Sequence, residues 1–272
     1  ELIATIACTL GEAIPEEAAH ALAARPVETW TACDHTVDAM QKMHRLDPEG
    51  CRLSREALQR AFAVAPGLEF ARLVLGWVEF IECRWAPDRD GKLDEAFAIV
   101  RELVRENERN SGAWRLMSRL YLHAGQPDEA LTHARRAVEI NPYDSDILVT
   151  EGMALIRSGR SSEGVPLIEK AIRINPYAPG YYQAELALGL LLSGYPEAAL
   201  ETLQKLSRPV MHSRLTHAVT LMELGRLDEA QAQIRQQLID FPETTVAGTL
   251  LLLPGPDAEQ FAATLEKAGL PD

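Results

Sequence analysis

The apolar side chains of residues 111–142 form two stripes with helical spacing. The first stripe consists of Trp114, Met117, Tyr121 and Ala124, and the second of Ala130, Ala134 and Ala137. Steps of three and four residues place each stripe on one face of an α-helix. Between the stripes, Gly125 is suited to end a helix in the left-handed conformation, and Pro127 is suited to begin the next helix. The pattern predicts two closely packed helices.

A short phrase that begins with glycine recurs along the chain. It reads GKLDEA from residue 91, GQPDEA from 125, GRSSEG from 159, GYPEAA from 194 and GRLDEA from 225, with starts 34, 34, 35 and 31 residues apart. A period of this size is typical of repeat proteins, in which each helix pair buries its apolar face against the next pair. We expect the acids after these glycines to cap and complement helix N-termini rather than to act in acid-base catalysis. They are Asp94-Glu95, Asp128-Glu129 and Asp228-Glu229.

The repeat pattern extends over most of the chain and gives about six helix pairs. Two long connections interrupt it, LDPEGCRL at residues 46–53 and ECRWAPDRDG at residues 82–91. A terminal repeat must present a polar outer face, so we expect capping elements at both ends. We assign residues 1–29 to N-terminal capping helices split at Pro15, residues 30–248 to the repeat array, and residues 249–272 to a C-terminal capping segment with a helix at 257–267.

The helix pair at residues 111–142 resembles the tetratricopeptide repeat (TPR). That repeat carries Trp, Leu-Gly and Tyr on its first helix, then Ala, an aromatic residue and Ala on its second helix, and a final Pro. Trp114, Met117-Ser118, Tyr121, Ala130, Ala134, Ala137 and Pro142 fall on these positions, and Leu148, Gly152, Leu155, Gly164, Ile168, Ala171 and Pro176 do so in the next unit. The resemblance implies an all-α, TPR-type right-handed solenoid.

Three stretches resemble the C-terminal region of bacterial class III adenylate cyclase-like and winged-helix regulatory proteins that carry TPR arrays. They are ELIATIACTLGEAI at the start, RPVETWTACDHTVDAM with DPEGCRLSREALQRAFAVAPGLEFA in the first half, and FAATLEKAGLPD at the end. In such proteins a catalytic or DNA-binding domain precedes the array. Because the first residue is Glu1 rather than Met, the resemblance implies that this chain is the C-terminal part of a larger bacterial signalling protein.

The composition argues against several classes of partner. The formal net charge is −13, which repels nucleic acid and anionic lipid, so we expect no direct nucleic-acid binding. The apolar runs are far shorter than the roughly 20 residues that span a bilayer, so we expect no membrane association. The four cysteines are widely separated and form no CxxC pair, which favours reduced packing cysteines in a cytoplasmic protein.

No motif in the sequence supports catalysis or cofactor binding. The chain lacks GxGxxG, GxSxG and HExxH, and Ala86 stands where a phosphate-binding loop before Gly91-Lys92 requires glycine. Cys33, Asp34 and His35 are neighbours in a predicted helix, so their side chains diverge and form no catalytic triad. We therefore predict no enzyme activity, no catalytic residues, no cofactor and no metal.

Residues that do not recur between repeats define a candidate binding surface on the first helix of each pair. We call it the groove stripe; it consists of Phe70, Trp77, Phe80, Arg115, Arg119, His123, Met153, Arg157, Tyr181 and Glu185, with Val149 and Leu188 at the same register. The stripe is aromatic at one end and basic in the middle. This favours a carboxylate-bearing peptide or an acidic helix as ligand. The alternative is that the arginines pair with local acids such as Glu151 and that the aromatic residues pack between repeats.

The leading functional hypothesis is a non-catalytic protein-protein interaction and regulatory module that binds a partner peptide or protein in its concave groove. A second hypothesis is a stand-alone cytoplasmic TPR adaptor, and a third is an enzyme with a site around His123 and Glu185. Self-association is a further candidate, because the apolar stretch at residues 249–255 is able to dock on the last repeat or on a second subunit. Docking on the last repeat is the favoured alternative.

Overall fold

A computed structural model describes residue 22 and residues 24–210, 212–252 and 256–272. The predicted capping helices split at Pro15 lie outside these residues. The described part contains one short 3₁₀-helix (Val27–Thr29) and fourteen α-helices, with no β-strand. The prediction of an all-α protein is therefore confirmed. None of the helices in the described ranges is long and apolar enough to span a membrane.

Twelve of the helices form six consecutive pairs, as predicted. The pairs are α1 (Ala32–Met43) with α2 (Pro48–Val64), α3 (Glu69–Glu82) with α4 (Arg89–Glu106), α5 (Ser111–His123) with α6 (Pro127–Ile140), α7 (Ser145–Arg157) with α8 (Ser161–Ile174), α9 (Gly180–Leu192) with α10 (Pro196–Gln204), and α11 (Ser213–Glu223) with α12 (Leu227–Asp240). Two further helices follow, α13 (Val246–Leu252) and α14 (Ala258–Lys267).

The chain divides into two compact units, of which the first ends at Leu120 and the second begins at Tyr121. The first unit has an apolar core built from helices α1 to α3, with Val37, Leu58 and Val78 almost fully buried. The second unit has its own core, which runs from α6 to α14 and includes the fully buried Ile168 and Leu188.

The recurrent glycines close the first helix of four pairs. Gly125, Gly159, Gly194 and Gly225 have φ angles of 72°, 75°, 81° and 71°, a region that L-residues with a side chain adopt only at a cost. In each case the next residue donates its N–H to a carbonyl in the last turn of the helix, as Arg160 does to Leu155 at 2.8 Å. The predicted role of these glycines is confirmed.

The paired acids complement the helix N-termini, but they do not cap them. Asp128-Glu129 and Asp228-Glu229 lie in the first turn of α6 and α12, where negative charge is favourable. No side chain caps either helix, since the N-cap positions are held by Gln126 and Arg226. The expectation that Asp94-Glu95 lies at a helix start is wrong: α4 begins five residues before Asp94, at Arg89.

Both long connections are shorter than the sequence analysis predicted. Asp47 caps α2 by accepting a hydrogen bond from the Gly50 N–H, and Pro48 occupies the first helical position, so much of LDPEGCRL is helical. Asp88 caps α4 in the same way through the Gly91 N–H at 3.0 Å. Each of these Asp residues is a helix start signal inside a segment that was predicted to be a connection.

The C-terminal helix begins where it was predicted. Helix α14 follows Asp257 and buries Phe261, Ala262 and Leu265 along one side. It packs against α13 and also against α11, the first helix of the last pair. The Val246 N–H at the start of α13 donates a hydrogen bond to the Pro271 carbonyl at 2.8 Å. The end of the chain is thereby fastened to the second unit.

Candidate partner-binding face

In the first unit, helices α3 and α5 bring three groove-stripe residues together. The Arg115 guanidinium carbon lies 4.8 Å from the centre of the Trp77 ring, in cation–π geometry. The Phe80 ring meets Trp77 edge to face, with ring centres 5.9 Å apart. All three side chains are half-buried. The cluster therefore offers aromatic surface and a guanidinium on neighbouring first helices.

The packing of α3 and α5 depends on a glycine next to Trp77. A Cβ atom added at Gly76 would lie 3.0 Å from Leu116 Cδ2 of α5. The absence of a side chain there lets α5 approach closely enough for Arg115 to reach the Trp77 ring. Arg119 is half-buried one turn further along α5, whereas Phe70 is 6% exposed and packs in the first core.

In the second unit, the groove stripe is buried rather than open. Met153 is 4% exposed, Arg157 is 7% exposed and Glu185 is 1% exposed, and the flanking Val149 and Leu188 are fully buried. Tyr181 and His123 are half-buried. The predicted basic patch does not extend into this unit as an open surface, because its arginine is enclosed.

Arg157 and Glu185 form a two-pronged ion pair between α7 and α9. Arg157 Nη1 donates to Glu185 Oε2 at 2.8 Å, and Nη2 donates to Oε1 at 3.1 Å. Arg157 Nη1 also lies 3.4 Å from the Met153 carbonyl. The third partner is His212, at the start of α11, whose Nε2 lies 3.3 Å from Glu185 Oε1. Three consecutive first helices are thus joined through one carboxylate.

The charges of this site are balanced internally. Burial opposes the ionisation of Glu185, but Arg157 and His212 hold the pKa of its carboxyl well below the ordinary range. The partner of Arg157 is therefore Glu185 and not Glu151, the acid named in the sequence analysis. Glu151 lies 3.7 Å from Arg135 instead, and burial raises the pKa of the Glu151 carboxyl.

Tyr181 takes part in a second polar contact between α7 and α9. Its hydroxyl donates to Asp146, as does the hydroxyl of the fully buried Tyr182 at 2.8 Å. The two rings meet edge to face with centres 4.8 Å apart. Tyr181 thus helps to hold the two helices in register, and its half-buried ring lies on the same helix as Glu185.

The C-terminal residues reach back across the second unit. A Cβ atom added at Gly159, in the turn between α7 and α8, would lie 2.6 Å from Pro256 Cγ. We call residues 256–270 the strap. The strap includes α14, which contacts α11. Strap residues Phe261, Leu265 and Leu270 belong to the same core as Leu188 and Ile156. The strap therefore contacts both the α7–α8 turn and α11, which are separated in the chain by one complete helix pair.

Of the three neighbouring residues Cys33, Asp34 and His35, the last two make contacts at the start of α1. Asp34 and Thr31 form a reciprocal capping box, and Asp34 also accepts from Arg25 at 3.1 Å. His35 packs on the Trp30 ring. Among the residues described, no three His, Cys, Asp or Glu side chains are grouped so that they could hold a metal ion.

Sequence reasoning did not find two features of the second unit. One is His212, whose approach to Glu185 depends on the path of the chain between α10 and α11. The other is the return of the strap to Gly159, since no periodic pattern encodes a contact between residues so far apart. The spacing of apolar and polar residues in α14 did predict an amphipathic helix, but not the surface that this helix contacts.

Comparison with known proteins agrees with the repeat fold. Residues 89–147 match the family model of the tetratricopeptide repeat. Repeats of this family are generally non-catalytic interaction modules. No curated protein matches the chain in sequence.

Several solved structures share the fold. A thermophilic TPR protein from Thermus thermophilus, TTC0263, is 22% identical with a TM-score of 0.53, over 73% of this chain and 99% of that one. PilF from Pseudomonas aeruginosa is 15% identical with a TM-score of 0.53, over 85% of this chain and 98% of that one. A chain of the APC/C hetero-tetramer Cut9–Hcn1 is 12% identical with a TM-score of 0.65, over 88% of this chain and 43% of that one. At these identities the likeness concerns the fold alone.

Proposed function

We propose that this chain binds a segment of a partner protein on the half-buried part of its groove stripe, which lies in the first unit. The observation that supports this most directly is the cluster of Trp77, Phe80 and Arg115 in the first unit. Aromatic and arginine side chains dominate the energetics of protein interfaces, because they combine a large contact area with directional hydrogen bonding. The repeat scaffold supplies rigid helices that hold these side chains in place.

The chemistry of the cluster favours a ligand with a carboxylate next to an apolar side chain. A guanidinium that stacks on an aromatic face keeps its N–H donors in the plane of the stack, where a carboxylate meets them edge-on. The half-buried rings of Trp77 and Phe80 offer apolar surface beside it. A peptide with an acidic side chain or a free C-terminus beside an apolar residue fits both requirements.

We further propose that the chain acts as the C-terminal region of a larger bacterial signalling protein of the adenylate cyclase-like or winged-helix regulator type, in the cytoplasm. The resemblance of three stretches outside the core repeats supports this. A stand-alone adaptor is the alternative, and self-association through the C-terminal residues is a further route to partner binding. Expression of the natural reading frame that includes Glu1 distinguishes them, since it shows whether a catalytic or DNA-binding domain is attached.

A peptide-display library with free C-termini tests the binding proposal on the full chain. We expect enriched peptides to share an acid beside an aromatic or aliphatic residue. Replacement Trp77→Ala or Arg115→Gln is expected to weaken their binding by about 10- to 100-fold, the effect of removing an interface hot spot. Fluorescence anisotropy with purified peptides measures the change, and circular dichroism verifies that the variants remain helical.

Arg101→Gln provides a matched control. The Arg101 guanidinium lies 5.0 Å from the centre of the Phe97 ring, in the same kind of geometry, but both residues belong to the second helix α4. We expect Arg101→Gln to bind the enriched peptides like the wild type. Equal binding by Trp77→Ala and the wild type, or a library that yields no enriched peptide, would contradict the proposal.

A further inference from the structure

We propose that the strap, residues 256–270, is a displaceable internal ligand of the second unit, and that its surface there accepts an amphipathic helix with apolar residues at positions i and i+4. This inference rests on the proposed function, because it treats the first helices as a binding surface. The inference extends the proposed function in two ways. It names the class of ligand, an amphipathic helix, and it supplies a means of regulation, because a partner helix must compete with the strap.

The path of the strap distinguishes it from a simple end cap. A helix that only covers the end of an array needs contact with the last pair alone. Here the segment begins with Pro256 seated against Gly159, in the pair α7–α8, and ends with α14 against α11. It therefore contacts two helix pairs that are separated in the chain by the pair α9–α10.

The strap helix has the side-chain pattern of a groove-bound helix. Phe261 is 4% exposed and Leu265 is fully buried, one turn apart. The opposite side of α14 is exposed and carries Glu259, Gln260 and Glu266. Recognition of a helix by its apolar stripe, with a polar back to solvent, is a recurrent mode of peptide binding.

Two first helices of the second unit, α7 and α9, are buried along most of their length. In α9, eight of the residues from Tyr182 to Leu191 are buried, so the helix has no continuous solvent-exposed side. The stripe residues of α7 behave in the same way, with Met153 and Arg157 both under 9% exposed. A first helix in a stacked array otherwise keeps one side for ligands.

The buried ion pair fits an apolar ligand. Arg157 is satisfied by Glu185 through two hydrogen bonds, and Glu185 is also approached by His212. An apolar stripe is tolerated next to charges only when these are already paired, since an unpaired buried charge is strongly destabilising. The pairing prepares the surface for the side chains of a helix such as α14 rather than for a free carboxylate.

Tethering sets the strength of the competition. A ligand that is tethered to its own binding surface has an effective concentration of about 1 mM. If the strap binds its surface with an intrinsic Kd of about 10 µM, the bound state is favoured about 100-fold, and an external helix binds about 100-fold more weakly than it does to the open surface. Release of the strap is therefore expected to reveal binding that the unmodified chain conceals.

A fluorescent peptide of residues 256–272, added to the full chain, tests this directly. We expect weak binding to the wild type and at least about 10-fold tighter binding to the full chain with Phe261→Glu and Leu265→Glu, whose own strap is released. A peptide that carries the same two substitutions serves as the ligand control and is expected not to bind. If the peptide binds both chains equally, or neither of them, the proposal is wrong.

Two glycines provide a second pair of variants. In Gly159→Ala the new Cβ collides with Pro256, whereas in Gly194→Ala it meets nothing within 4 Å, although both residues have positive φ. The backbone strain is thus shared, and only Gly159→Ala acts on the strap. We expect tighter peptide binding in Gly159→Ala than in Gly194→Ala. Equal peptide affinities of the two variants would contradict the claim that the contact between Pro256 and Gly159 holds the strap in place.

Hydrogen exchange on the wild-type chain gives an answer that requires no variant. If the strap is displaceable, the amides of α14 exchange through their own opening and faster than those of α9 and α11. Exchange of α14 at the same rate as α9 would show that the strap opens only with the whole unit, and would overturn the proposal. The peptide library that tests the Trp77 cluster uses neither the strap nor its variants, so the two proposals fail independently.

Discussion

The same repeat pattern produces two different first-helix surfaces in the two units. In the first unit, Trp77, Phe80 and Arg115 are half-buried and meet in an aromatic–cation cluster. In the second unit, Met153, Arg157 and Glu185 are enclosed, and a segment from the end of the chain packs into the same core. Whether a first helix offers a surface is thus decided by what else packs on it.

The two units also differ in how they hold a buried glutamate. Glu185 depends on a single arginine, which is itself only 7% exposed. Glu79 in the first unit is held by Arg55 at 2.6 Å and by Lys92 at 2.8 Å, and Arg55 remains 30% exposed. A carboxylate with two partners near solvent should tolerate the loss of one, whereas an enclosed carboxylate with one strong partner should not.

The largest expected effect is therefore that of Arg157→Met. It leaves Glu185 buried without its main partner, which should lower the free energy of unfolding by about 3–5 kcal/mol. Adding Glu185→Leu should recover most of the loss, because a buried ion pair is replaced by apolar groups at little net cost. Urea denaturation of the single and double variants measures both values.

The equivalent change in the first unit should be milder. We expect Arg55→Met to lower the free energy of unfolding by about 1–2 kcal/mol, because Lys92, which is 26% exposed, still contacts Glu79. The same urea experiment provides the measurement. A loss at Arg55 as large as that at Arg157 would remove the distinction between the two sites.

Acid should weaken the second unit through Glu185. The folded pKa of this carboxyl is depressed below the ordinary value of 4.5, so its contribution to stability is complete above that value and is lost as the pH falls towards the folded pKa. We expect wild-type stability to fall more steeply below about pH 5 than that of the Arg157→Met, Glu185→Leu double variant. Parallel curves from thermal melts between pH 6 and about pH 3 would exclude this role for Glu185.

The closing glycines should give a smaller and more uniform effect. Gly194→Ala and Gly225→Ala place a side chain at positive φ with no collision, so each should lower the free energy of unfolding by about 1–2 kcal/mol. Urea midpoints compare them with the wild type. An effect at Gly225 that is absent at Gly194 would show that the two turns are not equivalent.

The smallest effect is expected at the ion pairs of the turns. Arg160 bonds Glu163, and Arg226 bonds Glu229, three residues apart and at the protein surface. Exposed pairs of this kind add little to stability, since water screens them. Arg160→Ala and Arg226→Ala should both show urea midpoints that cannot be distinguished from the wild type.

The scaffold was predictable because it depends on local and recurrent signals. The glycine that closes a helix, the apolar stripe and the proline after each pair act within a few residues, so helix pairs from α5 to α12 could be derived from spacing alone. Asp47 and Asp88 also carry local signals, but both lie in segments where the repeat pattern is interrupted. Both helix starts follow from the preference of Asp for the N-cap position, which Asp47 occupies before Pro48 and Asp88 occupies before Arg89.

The candidate site was less predictable because exposure is a tertiary property. Spacing correctly placed Trp77 with Phe80 on one helix and Arg157 on another, but it could not show that Arg157 is enclosed. The enclosure of that residue follows from Glu185 on the next helix and from the crowded second core, to which the strap contributes. Neither partner is identified by the repeat period.

The most direct test of the account is the contact between Gly159 and Pro256 in solution. Nuclear Overhauser spectroscopy on the full chain, with selectively labelled glycine and proline, should show cross-peaks between the Gly159 α-protons and the Pro256 ring. These cross-peaks should disappear in the Phe261→Glu, Leu265→Glu chain. Their absence from the wild type would contradict the claim that the strap reaches back to the α7–α8 turn.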